Sequence, residues 1–286
     1  MKLNCIRSPS NLPPLKYLRC LAGNIALSIC PSRGRRIARD PFSTNLSKFD
    51  RLVRNGLFFR ALRDGDHDEL ARYLASFWRG PAGKAFHADF RLRFEDVFLK
   101  HHVRAVEAFE RIASTRGGNI TRLYEIGCGS GQVLDHLRRR LVGFENFVGI
   151  DLSEDQVAAN RETFKGDPGI EFVAANASSW IVHHARPGAL ILTNGGVFEL
   201  FAKPAVQELF KHIATALKPA AVVAIETIGN DHDLETELGS IVFGPQMGFS
   251  HNYPHLLSEA GFTIEYQEER IAEDQNRWLL VAAICE

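Results

Sequence analysis

Leu123-Tyr124-Glu125-Ile126-Gly127-Cys128-Gly129-Ser130-Gly131-Gln132 is an apolar strand that ends in an acid and runs into three alternating glycines. A glycine has no Cβ, so the chain can take positive φ there and bring backbone N–H groups within hydrogen-bond reach of a ligand. The following Gln132-Val133-Leu134-Asp135-His136-Leu137 has helical apolar spacing at 133, 134 and 137, which puts the glycines at a strand-to-helix junction. The stretch therefore reads as a nucleotide-cofactor turn.

Spacing narrows the cofactor. A dinucleotide fingerprint needs Gly or Ala at position 132, where this chain has Gln132, and the Gly-Lys-Ser/Thr of a phosphate-binding loop is absent. The pattern E-x-G-x-G-x-G over 125–131 instead resembles motif I of the class I S-adenosylmethionine (SAM) dependent methyltransferases. The resemblance implies that Glu125, Gly127, Cys128, Gly129 and Gly131 form a loop against the amino-acid end of S-adenosyl-L-methionine.

Downstream, Asn146-Phe147-Val148-Gly149-Ile150-Asp151 is a second apolar strand with a carboxylate at its end. Two carboxylate oxygens can accept from both hydroxyls of a ribose, the task expected of Asp151, with Leu152 beside it. Capping of the next helix is the plainer role, and Ser153 with Gln156 already supplies a capping box for a helix to about Lys165. The strand from Ile170 to Ala174 leads to Asn176 and Ala177, where the family usually has an acid on the adenine amino group and a backbone N–H facing a ring nitrogen. Asn176 replaces that acid; its amide oxygen either accepts from adenine or caps the turn that holds Trp180.

A fourth strand, 189–193, runs into Asn194-Gly195-Gly196-Val197-Phe198-Glu199, which resembles motif IV and implies cofactor contact at Asn194. It is not the Asn-Pro-Pro-Tyr or Asp-Pro-Pro-Tyr signature, which argues against a nucleic-acid base as acceptor. A helix from Ala205 to Leu217 stops at Pro219, a buried strand spans 221–226, a helix from Tyr253 ends at Gly261, and strands follow at 262–268 and 277–284. The expected fold is α/β, a doubly wound, seven-stranded, mostly parallel Rossmann-like sheet of the class I methyltransferase kind over 118–286, with an N-terminal helical cap.

That cap is expected over 44–117, with helices beginning near Thr44, at Asp66 and at Ala85. Phe86, Phe90, Phe94 and Phe98 recur every fourth residue, a stripe that is core more often than substrate pocket, with His87, His101 and His102 as candidate pocket groups. Residues 1–63 hold thirteen Lys or Arg against Asp40 and Asp50, so a net charge of zero conceals a basic N-terminal segment, 1–43. Residues 15–39 read as a helix packed on the catalytic domain, with a peripheral membrane anchor or a transit peptide as alternatives. Arg33-Gly34-Arg35-Arg36 could meet phosphates. The 45% hydrophobic and 24% charged content suits a soluble protein, and five cysteines without a C-x-x-C pair suit a reducing, cytoplasmic setting and suggest no metal site.

SAM carries an activated methyl group, so the protein must align an acceptor, exclude water and take a proton where needed. His251, at the end of the long segment 228–250, is the expected base, with Glu199 and the group Asn230, Asp231, His232 and Asp233 as alternatives. The expectation is a SAM-dependent methyltransferase acting on a small-molecule acceptor, most plausibly at oxygen. An RNA-binding methyltransferase using the basic arm, or a non-catalytic SAM-binding protein, are the alternatives. The oligomeric state is not read from the sequence.

Overall fold

The computed structural model describes residues 14–80, 83, 93–116, 119–244, 246–273 and 275–286. Five strands, β1 (Arg122–Ile126), β2 (Asn146–Asp151), β3 (Ile170–Ala174), β4 (Ala189–Asn194) and β5 (Ala220–Ile228), pair in parallel. A hairpin β6 (Ser240–Phe243) and β7 (Gly248–His251) stands apart from that sheet. The last strands, β8 (Thr263–Ile271) and β9 (Arg277–Cys285), complete it in the order β3-β2-β1-β4-β5-β9-β8, with β9 antiparallel to both neighbours. Seven strands with one reversed is the architecture expected of the sequence.

The central strands are near-continuous apolar runs because helices cover both faces. Along β4, Ala189 and Ile191 belong to one core cluster while Leu190 and Leu192 belong to the other. The same alternation runs through β5 and β9, so one strand feeds two layers at its period of two. One face is covered by α5 (Val103–Arg116), α6 (Gln132–Arg140) and α7 (Glu154–Thr163), the other by α8 (Ala177–His184), α9 (Lys203–Ala216) and α10 (Tyr253–Ala260). Ser153 caps α7 by accepting from the Gln156 N–H, and Gly261 in the left-handed region closes α10.

Ahead of the sheet lie α1 (Pro14–Ile29), α2 (Pro31–Arg39), α3 (Lys48–Arg63) and α4 (His67–Arg79). The first of the expected cap helices, α3, starts at Lys48 rather than Thr44, because Ser47 and Asp50 form a complete capping box. The third splits into a π-helical segment, Phe94–His102, and α5, whereas Phe86, His87 and Phe90 lie outside the described residues. The segment read as one long loop contains the β6–β7 hairpin, whose Met247 and Phe249 pack into the α1–α4 core with Phe58, Phe59 and Tyr73. Those four-residue strands are too short to show a period in the sequence.

Candidate functional site

A cavity of about 410 Å³ opens at the C-terminal ends of the parallel strands, the end at which open α/β sheets hold ligands. One side is formed by Glu125 to Cys128, by Asp151 and Leu152, and by Asn176 and Ala177. The other carries Trp78 from the end of α4, Phe94, Val97 and His102 from the π-helical segment, Leu200 and Phe201 after β4, and Trp278 on β9. Asn194 lies at the wall as well.

The loop between β1 and α6 is shaped from behind. Gly127 has φ 70°, and a Cβ there would come within 2.8 Å of Val197. Gly131 has φ 74° at the N-cap of α6, with Phe172 at 2.6 Å from where a Cβ would sit. Asp151 ties the loop down: its Oδ2 accepts from the Gly129 N–H at 3.0 Å and its Oδ1 from the Ser153 N–H at 2.9 Å. Asn160 Nδ2 donates to the Gly129 carbonyl at 2.6 Å.

Glu125, Asp151, His102 and Arg93 are ionisable side chains at this cavity. Glu125 is buried with Oε2 unpartnered, and burial together with the neighbouring Asp151 charge pushes its pKa well up. His102 places Nδ1 2.8 Å from Asn194 Oδ1 and lies against the Trp278 ring at 4.6 Å between centroids. An amide oxygen only accepts, so Nδ1 carries the hydrogen and Nε2, buried and without a partner, holds a lone pair. Burial pushes the His102 pKa down to about 4, which keeps the ring neutral at physiological pH.

Residues 123–220 match a family model described as a methyltransferase domain. That stretch carries a methyltransferase domain of the SAM-dependent kind. Trans-aconitate 2-methyltransferase of Escherichia coli is 29% identical over 171 residues, covering 57% of this chain and 64% of that protein. Malonyl-[acyl-carrier protein] O-methyltransferase of Brevibacillus brevis is 24% identical over 161 residues, 52% of this chain and 57% of that one. The chain thus aligns with less than two thirds of the length of these relatives. The crystal structure of the plantazolicin methyltransferase BamL, in complex with a triazolic desmethylPZN analog and SAH, shares the fold with a TM-score of 0.54 at 16% identity, over 78% of this chain and 98% of that one.

The site fits a cationic nucleotide cofactor. The buried, unpartnered Glu125 oxygen suits an ammonium group. Asp151 retains lone pairs for a ribose after its two backbone bonds, and the Asn176–Ala177 corner bounds the same cavity. SAM supplies the activated methyl when bound.

Most of the residues read from the sequence as cofactor contacts line this cavity, and several do not. Gly129 and Gly131 are absent from the lining; they hold the turn, and the Gly129 N–H is committed to Asp151. Asn176 Oδ1 accepts from the Ser179 N–H at 3.1 Å, so the side chain caps α8 while its residue lines the cavity. Cys128 is buried with its thiol pKa pushed well up, which removes any nucleophilic character.

The expected base, His251, does not line the cavity. Its ring is fully buried, with Nδ1 2.6 Å from Ser240 Oγ and Nε2 3.0 Å from the Phe201 carbonyl. Both nitrogens are occupied, so it has no lone pair for an acceptor. Glu199 sits behind the wall: its Oε2 accepts from Thr227 Oγ1 at 2.5 Å, and only Thr227 and Gly196 of that group reach the cavity. Asn230 and Asp233 are spent within the loop or on Gln275, and His232 is buried against Ser250 at 2.8 Å. His101 does not line the cavity, whereas His102 does; its place at the end of the phenylalanine stripe was the available signal.

Proposed function

We propose that the chain transfers a methyl group from SAM to a small-molecule acceptor, at an oxygen. The observation that carries this reading is His102, which lines the same cavity as the glycine loop and Asp151 and keeps a buried Nε2 without a hydrogen-bond partner. In this role the neutral ring accepts a hydrogen bond from an acceptor hydroxyl and so holds an oxygen lone pair behind the methyl group. With the cofactor bound, His102 Nε2 would take the hydroxyl proton as the acceptor oxygen gains its methyl group, with Asn194 fixing the tautomer. The aromatic side of the cavity excludes water around this exchange and favours an acceptor with an apolar body. The two named relatives are, by name, methyltransferases of a small organic acid and of a carrier-bound malonyl group.

An RNA acceptor reached through the basic arm is less favoured by the structure. Arg33 and Arg36 both bond to Asp50 at 2.7 Å, which spends part of that cluster inside the protein. The experiment is calorimetry with SAM alongside a labelled-methyl screen over small-molecule extracts. Asp151→Ala should weaken SAM binding by roughly 10–100-fold, as a charge-assisted hydroxyl contact implies. His102→Gln should keep SAM affinity within a few-fold while turnover falls by about 10²-fold. A His102→Gln variant with full turnover would remove the imidazole from the reaction.

A further inference from the structure

We infer that the outward face of α1 is a docking surface for an anionic lipid bilayer, which the protein meets as a peripheral rather than a spanning partner. The helix has two apolar faces. Cys20, Gly23, Ala26 and Leu27 are buried, and Gly23 meets Gly56 of α3 so closely that a Cβ on it would lie 2.6 Å from the Gly56 nitrogen. On the opposite side Leu15, Leu18, Ala22, Ile25 and Ile29 follow at steps of three and four, the spacing of a single stripe. Leu15, Leu18, Ile25 and Ile29 are 61–73% exposed. The other large exposed apolar residues among those described are spread over the rest of the chain, the scatter ordinary surfaces show.

Charge identifies the occupant. Pro14 to Arg39 contains six Lys or Arg and no acid. Arg19, Arg35 and Arg39 are exposed and make no ion pair among the described residues, and Arg33 and Arg36 keep much of their surface in solvent beside Asp50. An apolar helical stripe flanked by cations is complementary to the headgroup and acyl boundary of an anionic leaflet. With 16 residues, α1 is about 24 Å long at the α-helical rise, short of the ~30 Å hydrocarbon core, so it lies along the surface. No described helix is long and apolar enough to cross a membrane. A stripe one row wide on a convex helix also falls short of the roughly 800 Å² per partner that a stable protein interface buries.

The test is flotation of the full chain with vesicles of phosphatidylcholine alone or of phosphatidylcholine with one third phosphatidylglycerol. The chain should float with the anionic vesicles, bind neutral ones roughly 100-fold more weakly, the order expected for three unpaired cations, and be released by salt. The Leu18→Glu/Ile25→Glu double variant should lose flotation. Leu18→Ser/Ile25→Ser serves as a second probe, with circular dichroism confirming that α1 remains folded. No flotation of the wild-type chain, or equal flotation of the folded variants, would overturn the inference. So would a dimer that either variant dissociates and that shows no affinity for vesicles, which would give the face to a second copy of the chain.

Discussion

His102 and His251 are both pushed down to about 4 by burial, yet their hydrogen bonds give them opposite parts. His251 Nε2–H donates to the Phe201 carbonyl and Nδ1 faces Ser240 Oγ, so the ring joins β7 to β6 and to the turn after β4. His102 lines the cavity with one satisfied nitrogen and one buried nitrogen without a partner. The distinction sets an expectation for His251→Ala: it removes a buried ring and leaves a carbonyl and a hydroxyl without their partner. We expect a loss of about 2–4 kcal/mol in urea unfolding, with SAM affinity of the folded fraction unchanged. A variant of wild-type stability and lowered turnover would restore His251 to the chemistry. Burial against Ser240 and Phe201, distant in sequence, could not be read from the motif around position 251, whereas the chemical type of the residue could.

At the level of elements, the β1–α6 turn was legible because its conformation admits few residues. Positive φ at Gly127, Gly129 and Gly131 leaves the sequence little choice, so the alternation appears in the letters themselves. Gly131→Ala would combine left-handed strain with the Phe172 ring at 2.6 Å. The expected cost is about 1–3 kcal/mol in stability, with weaker SAM binding in calorimetry because the Asp151-tied turn must shift. The buried strands were equally legible, since continuous apolar runs such as Ala-Leu-Ile-Leu and Ala-Val-Val-Ala-Ile have one place in an α/β sheet. The β6–β7 hairpin was not. Its four-residue strands are held by Met247 and Phe249 packing on helices more than 150 residues earlier, a long-range contact with no local pattern.

Across the whole molecule, buried ionisable groups pull stability in opposite directions with pH. The unfolded chain protonates His102 and His251 near 6.5, the folded chain only near 4, so falling pH through that window removes about 2 kcal/mol per ring by pH 5. Glu226, fully buried beneath the turn after β4 with Oε2 accepting from the Phe198 N–H, has its pKa pushed up to about 8 by desolvation. Its folded form therefore keeps a proton that the unfolded chain releases near 4.5, and its contribution is lost as pH rises through 8. Glu125 and Glu199 are raised as well and act with the same sign. Above pH 6.5 the carboxyl groups alone operate, and stability should fall by about 2 kcal/mol from Glu226 between pH 6.5 and 8. Urea unfolding at stepped pH should show that decline in the wild-type chain and a flatter profile in Glu226→Gln.

Met247 and Phe249 also bear on how such a protein can be recombined. They are contributed by a hairpin inserted after β5, yet they complete the core of α1–α4, and Leu200 from the cavity wall packs against the same cluster. A chimera that took residues 14–80 from one parent and 229–251 from another would set two large side chains against a hollow shaped for different ones. The leading helices and the hairpin therefore make one unit of exchange, and a change of acceptor obtained by swapping segments has to carry both together.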